Sequence, residues 1–170
     1  MRARVFCLAV VLGMLAGPLF AAVTAPNIFG DHMVVQAGQA VPVWGKADPG
    51  EKVTVSLGGR SASTTAGCCG KWMVKVPPVT ADGPVEMTIS GKDSTLVFRD
   101  VLVGEVWAGS GQSNMQWPVK ASRDAEAEIA QADYPQIRLF YVERKVAGEP
   151  QENCNGTWMV CTPENIPEFS

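Results

Sequence analysis

Ser113 is the residue of this chain best placed to do chemistry. It follows an apolar run at residues 101–107 and a glycine-rich turn at residues 109–111, and the segment after it can form a helix. A nucleophilic serine is commonly mounted between a buried strand and the amino end of a helix, because backbone N–H groups there can meet a developing oxyanion. The pattern therefore predicts attack of the Ser113 hydroxyl on a carbonyl carbon, which is ester-hydrolysing chemistry.

A structural role is the alternative for the same serine. Serine is a common helix N-cap, since its side-chain oxygen accepts a hydrogen bond from the first turn. The turn matches neither of two nucleotide-binding motifs. The third glycine of the dinucleotide fingerprint is missing, and the Gly-Lys-Ser/Thr of a phosphate-binding loop does not follow. Met115 stands where the Gly-x-Ser-x-Gly elbow has its last glycine.

A catalytic base for Ser113 is hard to find in the chain. The one histidine, His32, lies far before the serine, and none follows it. We expect His32 to hold a strand in place, with catalysis by His32 as the alternative. We therefore expect the chain to be a truncated piece of an enzyme, inactive by itself.

Two further groups of side chains invite a functional interpretation. One is acidic: Asp124, Glu126 and Glu128. Neighbours at alternate helix positions face different ways, and like charges four apart repel, so this group predicts a solvated helix face. The other is aromatic and could stack on sugars: Trp107, Trp117 and Tyr141. Aromatic residues beside a buried strand are usually core residues.

The charge and the first residues indicate an exported protein. The net charge of −3 and the pI of about 5.2 leave no basic surplus for nucleic acid. Arg2 and Arg4 precede an apolar run at residues 5–15 and then small residues, which is the pattern of a cleaved signal peptide. We expect residues 1–22 to be this signal and the mature protein to be periplasmic or extracellular, without stable membrane insertion; an uncleaved anchor is the alternative.

Four cysteines remain after the predicted signal. They can oxidise in an exported protein, and four cysteines allow three pairings. Cys154 and Cys161 would close a short loop and form the favoured bridge, while Cys68 and Cys69 are adjacent. Four free thiols are an equal alternative. No spacing is typical of a zinc site, so we expect no bound metal.

The hydrophobic pattern divides the chain near residue 100. Residues 23–100 alternate apolar and polar side chains between turn signals such as Asp48-Pro49-Gly50, which predicts an antiparallel β-sandwich of about seven strands. Residues 101–170 begin with the strand at 101–107, followed by a helix at about 122–132 and a strand near 137–141. This order predicts the start of an α/β domain that is incomplete.

Longer strings carry a resemblance to a known family. Two surround the serine: GEVW at residues 104–107 and GQSNMQWP at residues 111–118. Five more lie along the chain: PNIFGDHMVVQ at 26–36, PVWG at 42–45, GKW at 70–72, IRLF at 137–140 and WMVCTP at 158–163. Together they resemble the sialate O-acetylesterase family of the Ser-Gly-Asn-His hydrolases, over essentially all of the chain after the signal.

The resemblance implies an activity and a fold. Ser113 matches the family nucleophile, and its own N–H would be one oxyanion donor; the family's histidine, aspartate and other donors lie in later motifs that this chain does not contain. The implied α/β domain is flavodoxin-like with three layers. Acyl transfer through such a serine needs no metal or organic cofactor.

The resemblance leaves the substrate and the class of protein open. The expected partner is an O-acetylated sugar, with sialic acid first and acetylated plant polysaccharide of the acetyl-xylan type as the alternative. A non-catalytic sugar-binding or scaffold protein is the alternative from a different class.

Overall fold

A computed structural model describes residues 22–170 of the chain. The predicted signal peptide lies outside the described residues, apart from Ala22. Within residues 22–112, seven strands precede the serine, which agrees with the predicted number: β1 (Val34–Gln36), β2 (Val41–Lys46), β3 (Lys52–Leu57), β4 (Arg60–Thr65), β5 (Lys71–Val76), β6 (Val85–Ser90) and β7 (Thr95–Gly104). No helix among the described residues is long and apolar enough to cross a membrane.

The seven strands form a mixed five-stranded sheet and a two-stranded sheet. The larger sheet has the order β1-β7-β6-β3-β4, and β2 pairs with β5. On β3 the apolar side chains at alternate positions turn inward, and Val53, Val55 and Leu57 are fully buried. One hydrophobic cluster contains residues of both sheets, including Val43 of β2 and Ile89 of β6.

The all-antiparallel prediction is wrong at one edge of the larger sheet. β1 runs parallel to β7, and Val34 lies opposite Leu102. Short turns predict antiparallel pairing only between strands that are close in sequence. Because β1 and β7 are far apart along the chain, no local signal indicated their direction.

The predicted strand at residues 101–107 differs from the observed one. β7 begins at Thr95, bends at Asp100, whose φ is 56°, and ends at Gly104. Val101 is buried in the cluster of the amino-terminal strands. The strand ends at Gly104 because its partner β1 ends at Gln36, which lies opposite it. Residues 105–117 are all exposed.

The elements after β7 are short. Two 3₁₀ helices cover Ser113–Gln116 and Val119–Ala121, and α1 covers Ala125–Gln131. β8 (Tyr134–Phe140) and β9 (Trp158–Cys161) then form an antiparallel pair. The predicted helix at 122–132 and the predicted strand near 137–141 are thus confirmed with shifted bounds.

The favoured disulfide is absent. All four cysteines between residues 22 and 170 are free, so the predicted Cys154–Cys161 bridge does not form. The Cys161 side chain is buried with Ala132 and Leu139 in a second, small hydrophobic cluster. Burial in this apolar surrounding raises the pKa of the Cys161 thiol.

Gly45 provides a test of the amino-terminal packing. A Cβ at this position would overlap the Thr24 carbonyl oxygen and lie 2.9 Å from Cζ2 of the buried Trp72. Thr24 cannot retreat easily, because its N–H donates to the Lys46 carbonyl at 2.8 Å and its carbonyl accepts from the Lys46 N–H at 3.0 Å. We expect Gly45→Ala to lower the free energy of unfolding by about 2–3 kcal/mol in urea titrations.

Gly83→Ala is the matched control for this substitution. A Cβ at Gly83 meets no atom within 4 Å, so its free energy of unfolding is expected to change by less than about 0.5 kcal/mol. Equal losses in the two variants would contradict the close approach at Gly45.

Candidate active site

Ser113 lies where the sequence predicts, at the amino end of a helix. It is exposed and is the first residue of the 3₁₀ helix Ser113–Gln116. The N-cap position is occupied by Gln112, and no side chain caps the helix. The Ser113 hydroxyl has no hydrogen-bond partner among residues 22–170. The N-cap alternative is therefore wrong for Ser113, and its hydroxyl faces solvent.

Met115 explains the glycines of the turn before the serine. A Cβ at Gly111 would lie 2.7 Å from Met115 Cγ, and one at Gly109 would lie 3.0 Å from Met115 Cε. The Met115 N–H donates to the Gln112 carbonyl at 2.9 Å. The methionine side chain folds back over the turn, and a Cβ at Gly111 would require it to move.

Two contacts hold the serine segment to the rest of the chain. On its amino side, Gln36 Oε1 accepts a hydrogen bond from the Val106 N–H at 3.0 Å, and Gln36 Nε2 donates to Glu105 Oε2 at 3.2 Å. On its carboxyl side, Ser170 Oγ donates to the Met115 carbonyl at 2.8 Å. The segment is thus attached close to both ends of the turn that carries the nucleophile.

A second group of polar residues, His32, Asp100 and Arg138, joins β7 to β8. Arg138 Nη1 and Nη2 donate to Asp100 Oδ2 and Oδ1 at 2.5 and 3.1 Å. His32 Nδ1 lies 2.6 Å from Asp100 Oδ2. The Arg138 side chain is only 4% exposed, so a two-pronged ion pair compensates its burial.

The network of His32, Asp100 and Arg138 affects both the pKa of Asp100 and the backbone conformation at Asp100 and His32. The hydrogen bonds from Arg138, and more weakly those from His32, lower the pKa of Asp100 to about 2, although partial burial acts in the opposite direction. Asp100 is therefore an acceptor, so His32 must carry its hydrogen on Nδ1. Asp100 and His32 also have positive φ values of 56° and 66°, a conformation that costs free energy and persists only where surrounding contacts hold it.

The structure brings His32 to Asp100 and Arg138, and not to Ser113. His32 makes no hydrogen bond to Ser113 in the described part of the chain, so its geometry agrees with the expected structural role. Nothing in the local sequence pattern identified Asp100 and Arg138 as the partners of His32. A charged residue inside the apolar string of β8 was the available signal for Arg138.

The remaining candidates are on the surface. The acidic helix residues are exposed, as predicted: Asp124, Glu126 and Glu128. The aromatic residues were predicted to be core, and this is wrong: Trp107 is 90% and Trp117 60% exposed. The reason is that β7 ends before them, so no neighbouring strand covers their rings. No three His, Cys, Asp or Glu side chains within residues 22–170 form a group able to hold a metal ion.

Comparison with known proteins agrees with the sequence resemblance, although no protein-family profile matches the chain. Sialate O-acetylesterase of Rattus norvegicus is 32% identical over 151 residues, which cover 80% of this chain and 28% of that protein. The Homo sapiens protein of the same name is 32% identical, with 80% and 29% covered. The chain therefore spans less than a third of the length of these relatives.

The fold of the chain is similar to that of a solved acetylesterase structure. The crystal structure of a carbohydrate acetylesterase from Xanthomonas citri superposes with a TM-score of 0.83 at 37% identity, over 87% of this chain and 34% of that chain. The mostly-sheet arrangement described above is thus that of the matching part of a carbohydrate acetylesterase. Sequence and structure agree that the chain belongs to the sialate O-acetylesterase family.

Proposed function

We propose that this sequence is the amino-terminal part of a carbohydrate O-acetylesterase in which Ser113 is the nucleophile. The observation that supports this most is the exposed Ser113 hydroxyl, free of hydrogen bonds among the described residues, at the amino end of a helix in a chain related to acetylesterases. The first N–H groups of a helix have no partner within it. The Ser113 N–H is therefore available to the oxygen of a bound acetyl group.

The proposed reaction follows from this geometry. Ser113 Oγ attacks the acetyl carbonyl carbon, its proton passes to a base, and negative charge develops on the carbonyl oxygen near the Ser113 N–H. Collapse breaks the ester bond, and the sugar alcohol leaves with the proton. Water then attacks the acetyl-serine and releases acetate. The base in this proposal comes from outside residues 22–170, since His32 makes no hydrogen bond to Ser113 among these residues and lies against Asp100 and Arg138 instead.

Two exposed tryptophans support a sugar substrate. Trp107 and Trp117 lie on either side of Ser113 in the sequence, and their rings are largely exposed. Exposed indoles suit the apolar faces of sugar rings. We propose O-acetylated sialic acid as the substrate, from the names of the curated relatives. Acetylated plant polysaccharide is the second candidate, because the Xanthomonas citri protein is named a carbohydrate acetylesterase and its name specifies no sugar.

The finer fold and the location belong to the same proposal. We infer that the predicted amino-terminal domain, residues 23–100, is a β-sandwich. We also infer that residues 101–170 begin a three-layer, flavodoxin-like α/β domain. The pattern of residues 1–22 supports export to the periplasm or the cell exterior.

The substrate proposal is tested on the parent protein, by which we mean the protein encoded by the longest reading frame that contains this sequence. We expect it to release acetate from 4-nitrophenyl acetate. We also expect it to release acetate faster from O-acetylated sialic acid than from acetylated xylan. A reversed order would favour polysaccharide as the substrate. Absence of acetate release from all three would contradict the esterase and favour a non-catalytic sugar-binding protein.

A further inference from the structure

The segment that carries Ser113 has almost no packing of its own. Residues 105–117 are exposed throughout, including the large apolar side chains of Trp107 and Trp117. A segment without a buried face takes its position from a small number of hydrogen bonds. Whatever holds its ends therefore determines where the Ser113 hydroxyl lies.

Gln36 holds the amino end in an unusual way. It is the last residue of β1 and lies opposite Gly104, the last residue of β7. The next residue, Ala37, donates its N–H to the Gly104 carbonyl at 2.8 Å. Beyond this point the backbone ladder stops, and the Gln36 side chain continues it: its oxygen accepts from the Val106 N–H at 3.0 Å.

The other end of the same amide fixes the neighbouring side chain. Gln36 Nε2 donates to Glu105 Oε2 at 3.2 Å, so one planar group binds two consecutive residues of the departing chain. A donor and an acceptor in one rigid plane restrict both the position and the direction of the segment. The contact at the far end, from Ser170 Oγ to the Met115 carbonyl, lies two residues beyond the nucleophile.

We propose that Gln36 is a positioning residue for the nucleophile, acting through Glu105 and Val106 on the direction in which the Ser113 turn leaves the sheet. The proposal rests on the proposed esterase function. Gln36 itself does not touch Ser113, and its effect is on the alignment of Oγ with the acetyl carbonyl. Small misplacements of reacting groups are known to cost orders of magnitude in rate.

Four variants separate this role from simple stabilisation. Gln36→Leu removes both hydrogen bonds. Gln36→Glu keeps the acceptor for Val106 but places a second carboxylate against Glu105. The double variant Gln36→Glu/Glu105→Gln exchanges the amide and the carboxylate, so the hydrogen bond between the two side chains can form again. Gln39→Leu, at an exposed glutamine of the following turn, is the matched control.

The first measurement uses the 170-residue chain. Amide hydrogen exchange, followed by NMR, is expected to show faster exchange of the Val106 N–H in Gln36→Leu by about tenfold or more, because its acceptor is gone. Exchange in β3 and β6 is expected to stay as in the unsubstituted chain. Unchanged exchange at Val106 would overturn the anchoring role of Gln36.

The second measurement uses the parent protein with 4-nitrophenyl acetate. We expect kcat to fall about tenfold in Gln36→Leu and Gln36→Glu with KM within about twofold, and to recover in the double variant. Gln39→Leu is expected to have the kcat of the unsubstituted enzyme. If Gln36→Leu does not fold, the comparison of Gln36→Glu with the double variant Gln36→Glu/Glu105→Gln still tests whether Gln36 positions the nucleophile.

The outcomes are distinguishable. A kcat that stays constant while the Val106 N–H loses protection would overturn the positioning role and leave the esterase intact. A parent protein without esterase activity would overturn the proposed function and, with it, the role of Gln36 in the reaction, while the exchange experiment would still decide whether Gln36 anchors the segment.

Discussion

Ser113→Ala is expected to reduce the esterase activity of the parent protein on 4-nitrophenyl acetate by about 10⁴-fold or more. The substitution removes the attacking oxygen, and loss of a catalytic serine typically costs several orders of magnitude in kcat. The fold is expected to survive, because the hydroxyl is exposed and caps no helix. The free energy of unfolding in urea should change by less than about 0.5 kcal/mol.

Four further proteins complete this experiment. Ser110→Ala, at an exposed serine of the same turn, is the matched control and should keep its activity. His32→Ala in the parent protein should lower stability more than kcat, since His32 bonds to Asp100. The 170-residue chain should show almost no turnover. Appreciable hydrolysis by this short chain that disappears in a folded His32→Ala variant would make His32 the base and overturn the assignment.

Arg138→Met is expected to lower the free energy of unfolding by about 2–4 kcal/mol at pH 7. The Arg138 side chain is 4% exposed and that of Asp100 31%, so removing Arg138 takes the stronger partner from a partly buried charge. Here the Asp100 carboxylate would keep only His32, while the hydrocarbon volume of the Arg138 stem is largely preserved by methionine. Urea unfolding followed by tryptophan fluorescence measures the difference.

The same pair has a defined pH dependence. The pKa of Asp100 is about 2 in the folded protein and 3.8 in its ordinary state, so the unfolded chain binds the proton more readily. The stabilisation is therefore complete above about pH 4 and is lost as the pH falls towards 2. We expect the difference between the unsubstituted protein and Arg138→Met to shrink over this interval.

Arg123→Met is the control for the second prediction. The Arg123 side chain is 94% exposed and pairs with Asp124 on the surface. Exposed pairs contribute little to stability, so this variant should resemble the unsubstituted protein at every pH. A pH-independent difference for Arg138→Met would mean that Arg138 acts through packing and not through its charge.

Much of the local structure followed from the sequence alone. Alternation of apolar and polar residues predicted the strands of the amino-terminal region, because the side chains of a strand alternate between its two faces. The glycines at 109 and 111 and the residues after them placed Ser113 at the start of a helix. The extended strings, including those around residues 26–36 and 111–118, identified the family. Each of these signals is contained in a short, continuous stretch of the sequence.

The tertiary structure decided what depends on residues far apart in sequence. Gln36 reaches Val106 across 70 positions, and His32 reaches Asp100 across 68. Arg138 reaches Asp100 across 38 positions. The end of β7 at Gly104, the exposure of Trp107 and the parallel pairing of β1 all follow from which strand lies beside which. Periodicity reports which face of an element is buried and says nothing about the element that covers it, so these contacts exist only once the chain has folded.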